Sequence, residues 1–356
     1  MLSGVFTATV GFDADVGDAG DAGALTLSTP LLVVSGGVVD STTVGDGNAG
    51  AVVVQVGELQ LTGGGQIRSF SGGFDEFTGE LVVGRGAAGS VSIEATGSVT
   101  ASGVSPTGRP SGLLAETRGA GAGGNVSVLA SNLLLEDGAS ISSSSLGTGL
   151  AGDVRVVLSD SLTMRGASIE TEAVTSDGGN IAISLPGLMD LIDSRITTSV
   201  QSGEGGGGNI TIARPEFVVL QRSQIIANAF GGPGGNIDIV AGQLIADPFS
   251  VIEASSELGI DGNVTIDAPN PDVGSNLVVL PETFLDAARL LQPNCGAARA
   301  GLSSLVEVGR GGLPADPDGY LPSTSAGVAP AVPGPGAASG NVPDGSSVLA
   351  QLSCTQ

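Results

Sequence analysis

The sequence predicts an all-β fold, a parallel β-helix of about nine coils, on three observations. Two columns of residues recur in a fixed phase, the segments between glycines are short and rich in Val, Ile, Leu and Thr, and no repeat holds a helix of ten residues. A fixed period of roughly 20–50 residues indicates stacked repeats. The 60 glycines and the β-branched bias exclude helical repeats.

The two columns define the repeat. The first is an Asn or Asp before an alternating apolar segment, with steps of 28, 27, 29, 27 and 27 residues. The second is an isoleucine that follows 16 residues later in five successive coils, so the variable length lies between it and the next Asn. The columns are Asn125, Asp153, Asn180, Asn209, Asn236 and Asn263, and Ile141, Ile169, Ile196, Ile225 and Ile252.

One repeat contains three short strands, for example near 209–212, 217–220 and 223–226. About 27 residues in three strands suits one coil of a parallel β-helix, whereas a propeller blade needs about 40 residues and four strands. Successive coils then pair at steps of about 4.8 Å. The nine predicted coil starts are residues 24, 51, 90, 125, 153, 180, 209, 236 and 263.

Alternation within the first strand separates core from surface. The aliphatic pairs predicted to stack inside are Val126/Val128, Val154/Val156, Ile181/Ile183, Ile210/Ile212, Ile237/Ile239 and Val264/Ile266. The residues predicted to face solvent between them are Ser127, Arg155, Ala182, Thr211, Asp238 and Thr265. We expect the Asn column at the preceding corner, because Asn tolerates left-handed backbone and its amide can bond to the coils above and below.

The chain divides into four segments. Residues 1–22 are irregular, residues 23–279 form the repeats, residues 280–320 form a cap that begins with a short amphipathic helix, and residues 321–356 form a disordered tail rich in Pro, Gly, Ala and Ser. Two coils carry longer excursions, one at 68–89 and one through Pro106 and Pro110. Phe70, Phe74 and Phe77 in the first of these could bind a ligand, but covering the flank of the solenoid is the favoured role.

Charge excludes several classes of partner. The formal net charge is −24, all 12 basic residues are Arg, and there is no His. This argues against nucleic acid, whose binding needs basic residues to neutralise phosphates, and against anionic membrane surfaces. The sequence shows no signal peptide and no run of 18 apolar residues, so no membrane insertion is expected, and the chain is expected to be part of a longer protein.

Catalytic and metal sites are weakly indicated. Without His or Lys, acid–base chemistry would rest on carboxylates, and the pairs Glu170 with Glu172, Asp190 with Asp193 and Glu253 with Glu257 occupy unlike offsets in their coils. We therefore expect solvated surface, and no cofactor. The weak calcium candidates are Asp13, Asp15, Asp18 and Asp21, for which a solvated loop is the favoured interpretation.

The carboxyl-terminal part carries a resemblance. A Leu-Pro-Glu segment, Cys295 and then the motif Gly309, Arg310, Gly311, Gly312, Leu313 and Pro314 follow coils of Gly-Asn-Ile-Thr-Ile type. Over about residues 23–320 this resembles the carboxyl-terminal end of filamentous-haemagglutinin-like exoproteins of two-partner secretion systems, especially those of cyanobacterial type. The resemblance implies a right-handed parallel β-helix, export through an outer-membrane partner pore, and an adhesin role. The family's amino-terminal secretion domain does not occur in this sequence.

The functional expectation is a non-enzymatic segment of an exported protein, secreted or held at the cell surface. It would attach to a host cell, a neighbour cell or a polysaccharide. The alternatives are a β-helix polysaccharide lyase or hydrolase, and a structural surface-layer protein. Cys295 and Cys354 could form a disulfide that closes a long loop, or could tether the chain to its secretion partner.

Overall fold

A computed structural model describes residues 4–10, 20–74, 81–82 and 84–269, which all belong to the unit Met1–Leu280. This part of the chain is a parallel β-solenoid of about eight turns and contains no helix. The predicted cap, the motif Gly309–Pro314, the cysteines Cys295 and Cys354 and the predicted tail lie outside the described residues.

The solenoid is built from short strands. In chain order they are β1 (Gly4–Val10), β2 (Leu25–Ser35), β3 (Val38–Val44), β4 (Val52–Thr62), β5 (Gln66–Ser71), β6 (Gly73–Phe74), β7 (Leu81–Val82), β8 (Val91–Ala95), β9 (Ser98–Ser102), β10 (Gly112–Thr117), β11 (Val126–Glu136), β12 (Ser140–Ser145), β13 (Val154–Arg165), β14 (Ser168–Ala173), β15 (Ile181–Ser184), β16 (Leu188–Ile192), β17 (Arg195–Val200), β18 (Ile210–Ala213), β19 (Phe217–Gln221), β20 (Gln224–Asn228), β21 (Ile237–Val240), β22 (Gln243–Ala246), β23 (Val251–Glu253) and β24 (Val264–Asp267).

Two large sheets run along the stack. The first strands of the coils pair in the order β2-β4-β8-β11-β13-β15-β18-β21-β24, and the second strands extend the same 13-stranded sheet. The third strands form a separate 9-stranded sheet, β1-β3-β5-β10-β12-β14-β17-β20-β23, which we call the third sheet after these strands. Each of the nine predicted coil starts lies one residue before a first strand, which confirms the predicted repeat. In β2, β4, β11 and β13 the first and second segments are continuous.

The predicted aliphatic rows line the interior. Val126, Val154, Ile181, Ile210 and Ile237 are at most 1% exposed and pair in register from turn to turn. In the last described turn, by contrast, Val264 and Ile266 are each 37% exposed. The isoleucine column is buried too, from Ile141 to Ile225, on the third sheet.

The asparagine column forms a continuous hydrogen-bonded ladder. The Oδ1 atom of Asn180 accepts the backbone N–H and the Nδ2–H of Asn209, each at 3.0 Å. Asn209 accepts the same two donors from Asn236, and Asn125 and Asp153 each accept the backbone N–H of the next member. The expectation of left-handed backbone at this column is wrong, because positive φ angles occur at another corner, at Asp137, Asp193 and Arg222.

Buried hydroxyl groups bind the third sheet to the corner glycines, a feature that the sequence analysis did not predict. Thr171 Oγ1 donates to the carbonyl of Gly179 at 2.7 Å, and Thr198 Oγ1 donates to that of Gly208 at 2.6 Å. Ser41, Ser69 and Ser143 make the equivalent bonds in earlier turns. A polar group can be buried at low cost when it is hydrogen-bonded, so these bonds allow Ser and Thr inside an aliphatic core.

Strand β1 extends the third sheet towards the amino terminus. It pairs in parallel with β3 over Gly4–Val10, in the segment that the sequence analysis describes as irregular. The repeat pattern predicts no strand there, because residues 1–22 contain no Asn followed by an alternating aliphatic pair.

Candidate functional site

The outer face of the third sheet brings charged residues from different turns together. In β5, β10, β12, β14 and β17 the residues that alternate with the core row lie on the other, outer face of the sheet, where Leu114, Ser142 and Ser144 are nevertheless buried. One outward row is Arg68, Leu114, Ser142, Glu170 and Thr197, and the next is Phe70, Glu116, Ser144, Glu172 and Ser199. Residues that are 27–46 positions apart in sequence therefore become neighbours on one surface.

The insertion of the third coil lies against this face. It links β9 to β10 through residues 103–111, whereas two residues, 166–167, make the same corner between β13 and β14. Within the loop, Ser105 and Arg109 bond through their backbones at 2.8 Å, and Gln66 Nε2 donates to Pro110 O at 2.9 Å. Arg109 reaches two turns back and donates to Gly36 O at 2.8 Å. These bonds fix the loop to the neighbouring turns.

Loop and sheet together enclose a groove, which we call the arginine groove. Its volume is about 480 Å³, and it is lined by Gln66, Arg68, Phe70, Val104, Gly108, Arg109, Pro110, Leu114, Glu116, Arg118, Gly138, Ser140, Ser168, Glu170 and Arg195. Four of the chain's 12 arginines lie here, although the net charge of the chain is −24. A local excess of cations on an acidic protein marks a site that attracts anions.

Two of these cations share one aromatic ring. The guanidinium carbon of Arg118 lies 5.5 Å from the centroid of the Phe70 ring, and that of Arg68 lies 5.7 Å away. A cation within about 6 Å of an aromatic face is attracted by the ring quadrupole. Phe70 therefore holds guanidinium groups in place from its position on β5. The side chains of Phe74 and Phe77 lie outside the described residues.

The groove also contains two carboxyl groups that resist ionisation. Burial raises the pKa of Glu116, and Glu170 raises it further, against opposing effects of Arg118, Ser142 and Arg68. Burial likewise raises the pKa of Glu170, with Arg195 acting in the opposite direction at an N–O distance of 3.5 Å. Only β12 separates the strands of the two residues. Shifted carboxyl groups in a cleft are characteristic of functional sites and also occur in structural ion-pair networks.

Replacing Glu116 by Gln should make the stability of the protein less dependent on pH. Because the pKa of Glu116 is higher in the folded state, its ionisation opposes folding at a pH above that value. Glu116→Gln removes this cost, so the urea midpoint should rise at about pH 8, and the gain should disappear towards about pH 4, where glutamate is largely protonated. Glu58→Gln, at an exposed position of β4, is the control and should give no such difference. An equal gain at both pH values would contradict the prediction.

The remaining sequence-predicted candidates lie apart from one another. Glu170 and Glu172 lie two residues apart on β14, and Glu170 lines the arginine groove. Asp193 lies at a corner instead, where its two carboxylate oxygens accept hydrogen bonds from Nε and NH2 of Arg222, each at 2.6 Å. Glu116 and the arginines were not among the sequence-predicted candidates. The signal that Arg68 and Glu116 share is a position on the outer face of a third strand, next to a core residue.

The calcium candidates are mostly outside the described part of the chain. Asp13, Asp15 and Asp18 are not among the described residues. Asp21 accepts the backbone N–H of Asn48 at 2.7 Å, and so takes part in a corner bond between turns. Among the described residues, no group of three His, Cys, Asp or Glu side chains could hold a metal ion.

The comparisons with known proteins give no relative. No family model matches the chain, and no curated protein and no solved structure matches it. Within the part of the chain that the structure describes, there is no helix with the length and hydropathy to cross a membrane.

Proposed function

We propose that this chain is a non-enzymatic segment of an exported surface protein of filamentous-haemagglutinin type, which attaches to cells or polysaccharide. It would be a right-handed solenoid with a carboxyl-terminal cap, secreted through an outer-membrane partner and presented at the cell surface. The observation that carries the proposal is the arginine groove. It concentrates four arginines on one outer face of a long stack, beside a loop that only one described coil contains. Binding residues are commonly carried by such loops on rigid scaffolds.

The groove favours attachment because three of its arginines are already held by neighbouring groups of the protein. Arg68 pairs with Asp40, Arg195 pairs with Glu170, and Arg109 donates to Gly36 O. A surface whose side chains are fixed before binding loses less entropy on complex formation. Stacking also repeats the outer faces along the solenoid, so that weak contacts can add up over several turns.

A binding assay that also detects cleavage tests this proposal. The purified chain would be incubated with a panel of neutral and acidic polysaccharides and with intact cells, and retention on each would be measured. The same mixtures would be assayed for new reducing ends and for unsaturated products. We expect retention on at least one polysaccharide or cell type and no cleavage products. Absence of retention throughout the panel would contradict the proposal.

One observation favours a second candidate, a polysaccharide hydrolase or lyase. Glu116 and Glu170 share the groove, and both have raised pKa values. A pair of carboxyl groups, one of them kept protonated, is the usual machinery of glycoside hydrolysis. If the panel yields products, then Glu116→Gln and Glu170→Gln should each abolish turnover, while Glu58→Gln should not.

A further inference from the structure

We infer that the arginine groove binds the carboxylate-bearing sugar units of an acidic polysaccharide, with Arg109 and Arg68 holding a carboxylate and Gln66 accepting a hydroxyl group. This inference rests on the proposed attachment function and names its ligand class. Several polar atoms of groove residues have no hydrogen-bond partner among the described residues.

Gln66 is the first such group. It is 2% exposed and lines the groove, and its Nε2 atom donates to Pro110 O. Because a carbonyl oxygen can only accept, this bond fixes which end of the amide is nitrogen. The Oε1 atom is buried and accepts no hydrogen bond from the described residues. A buried acceptor in this state is stabilised by a donor such as a sugar hydroxyl.

The neighbouring cations Arg109 and Arg68, which both line the groove, are the second group. Burial lowers the pKa of Arg109, and the neighbouring positive charge of Arg68 lowers it further. The Nε atoms of both arginines are buried and donate to no described protein atom. An anion placed between the two guanidinium groups would relieve their repulsion and accept these hydrogens, and a carboxylate matches the geometry of a guanidinium donor pair.

The remaining charges favour an anion of low charge density. Glu116 and Glu170 line the same groove, and Asp40 partly neutralises Arg68. A nucleic acid carries one phosphate per nucleotide and needs a continuous basic track, which this surface lacks. A uronate chain offers one carboxylate per sugar together with hydroxyl groups for Gln66 and for the side chains of Ser140 and Ser168, which also line the groove. The groove runs across strands β5 to β17, a span of four strand steps or about 19 Å, which admits several sugar units.

The loop restricts this site to one place on the solenoid. Arg109 lies in the insertion 103–111, and β12, β14 and β17 are preceded by short corners. The arginine that completes the carboxylate site is therefore supplied once among the described turns. This predicts one site of this kind per chain, in addition to any weaker contacts along the stack.

Calorimetric titration of the whole chain tests the inference. The ligands would be an oligogalacturonate, its carboxyl-reduced neutral counterpart, and an acidic peptide of equal charge. We expect one site for the oligogalacturonate and at least about tenfold weaker binding of the other two, since the carboxylate bonds and the hydroxyl bond are lost separately. Equal affinity for the neutral sugar would overturn the carboxylate site, and preference for the peptide would overturn the ligand class.

Variants then locate the site. Arg109→Gln should weaken oligogalacturonate binding at least about tenfold, and Arg109→Lys should give an intermediate loss, because lysine keeps the charge without the planar donor pair. Arg155→Gln, on the outer side of the other sheet, is the matched control and should bind as the parent does. Circular dichroism checks that each variant folds. If Arg109→Gln leaves binding intact, the groove is not the site, yet the proposed function stands. If the parent chain retains no polysaccharide or cell at all, the proposed function itself fails.

Discussion

Gly208→Ala is expected to lower the free energy of unfolding by about 3 kcal/mol, the upper end of the usual range for overpacking a close-packed interior. A Cβ atom at position 208 would lie 1.8 Å from the carbonyl oxygen of Gly179 and 2.6 Å from its carbonyl carbon. The obstacle is backbone of the adjacent turn, so a side-chain rotation cannot relieve the clash. The two turns would have to separate, which also strains the bond from Thr198 to Gly208 O. Urea denaturation followed by circular dichroism measures the loss.

Gly206→Ala is the matched control at the same corner. A Cβ atom there would meet the side chain of Pro233 at 3.4 Å, an ordinary contact, and its backbone has no positive φ angle. The free energy of unfolding of this variant, measured by urea denaturation, should remain within about 0.5 kcal/mol of the parent, as for most surface changes. Equal losses in the two variants would show that the loss of glycine itself, rather than the approach of the turns, determines stability.

The repeat could be predicted from the sequence because a solenoid places each sequence column on one structural column. Asn180 and Asn209 are 29 residues apart in sequence, and the structure joins them by hydrogen bonds. Ile210 and Ile212 alternate with Thr211, and the buried and exposed positions follow that alternation. Period, strand number and core rows therefore follow from local pattern alone.

The arginine groove could not be predicted in the same way. Arg68, Glu116 and Glu170 stand in three coils of unequal length, and the insertion 103–111 displaces the spacing between them. Their common feature appears only after Ile67, Leu113 and Ile169 are aligned as one core row. The course of the loop over the sheet depends on single bonds such as that from Gln66 to Pro110, which no sequence pattern encodes. The burial of the Glu116 side chain, which raises its pKa, depends on the course of the loop too.

The second large effect is expected at the ion pair beneath the groove. Asp40→Asn should destabilise the chain by about 2–3 kcal/mol. Asp40 Oδ2 lies 2.8 Å from NH2 of Arg68, the aspartate side chain is 6% exposed, and that of Arg68 is 26% exposed. Removing one partner of a buried pair leaves the other charge uncompensated and costs about 3–5 kcal/mol when both are fully buried. Here the cost is below that range because Arg68 retains some contact with water. It remains substantial because the positive charge of the nearby Arg109 disfavours an uncompensated Arg68.

Glu136→Gln provides the comparison, since it breaks the same type of pair between adjacent turns. Glu136 Oε1 lies 2.9 Å from NH1 of Arg165, but the two side chains are 28% and 52% exposed. An exposed pair contributes about 0–1 kcal/mol, so this variant should lose much less stability, measured by urea midpoint under the same conditions. A loss at Asp40 no greater than that at Glu136 would mean that the contact with Phe70 holds Arg68 without the ion pair. A larger loss would show that Asp40 of the preceding turn fixes Arg68 in the groove. The stability of this part of the solenoid and the geometry of its anion site would then depend on the same ion pair.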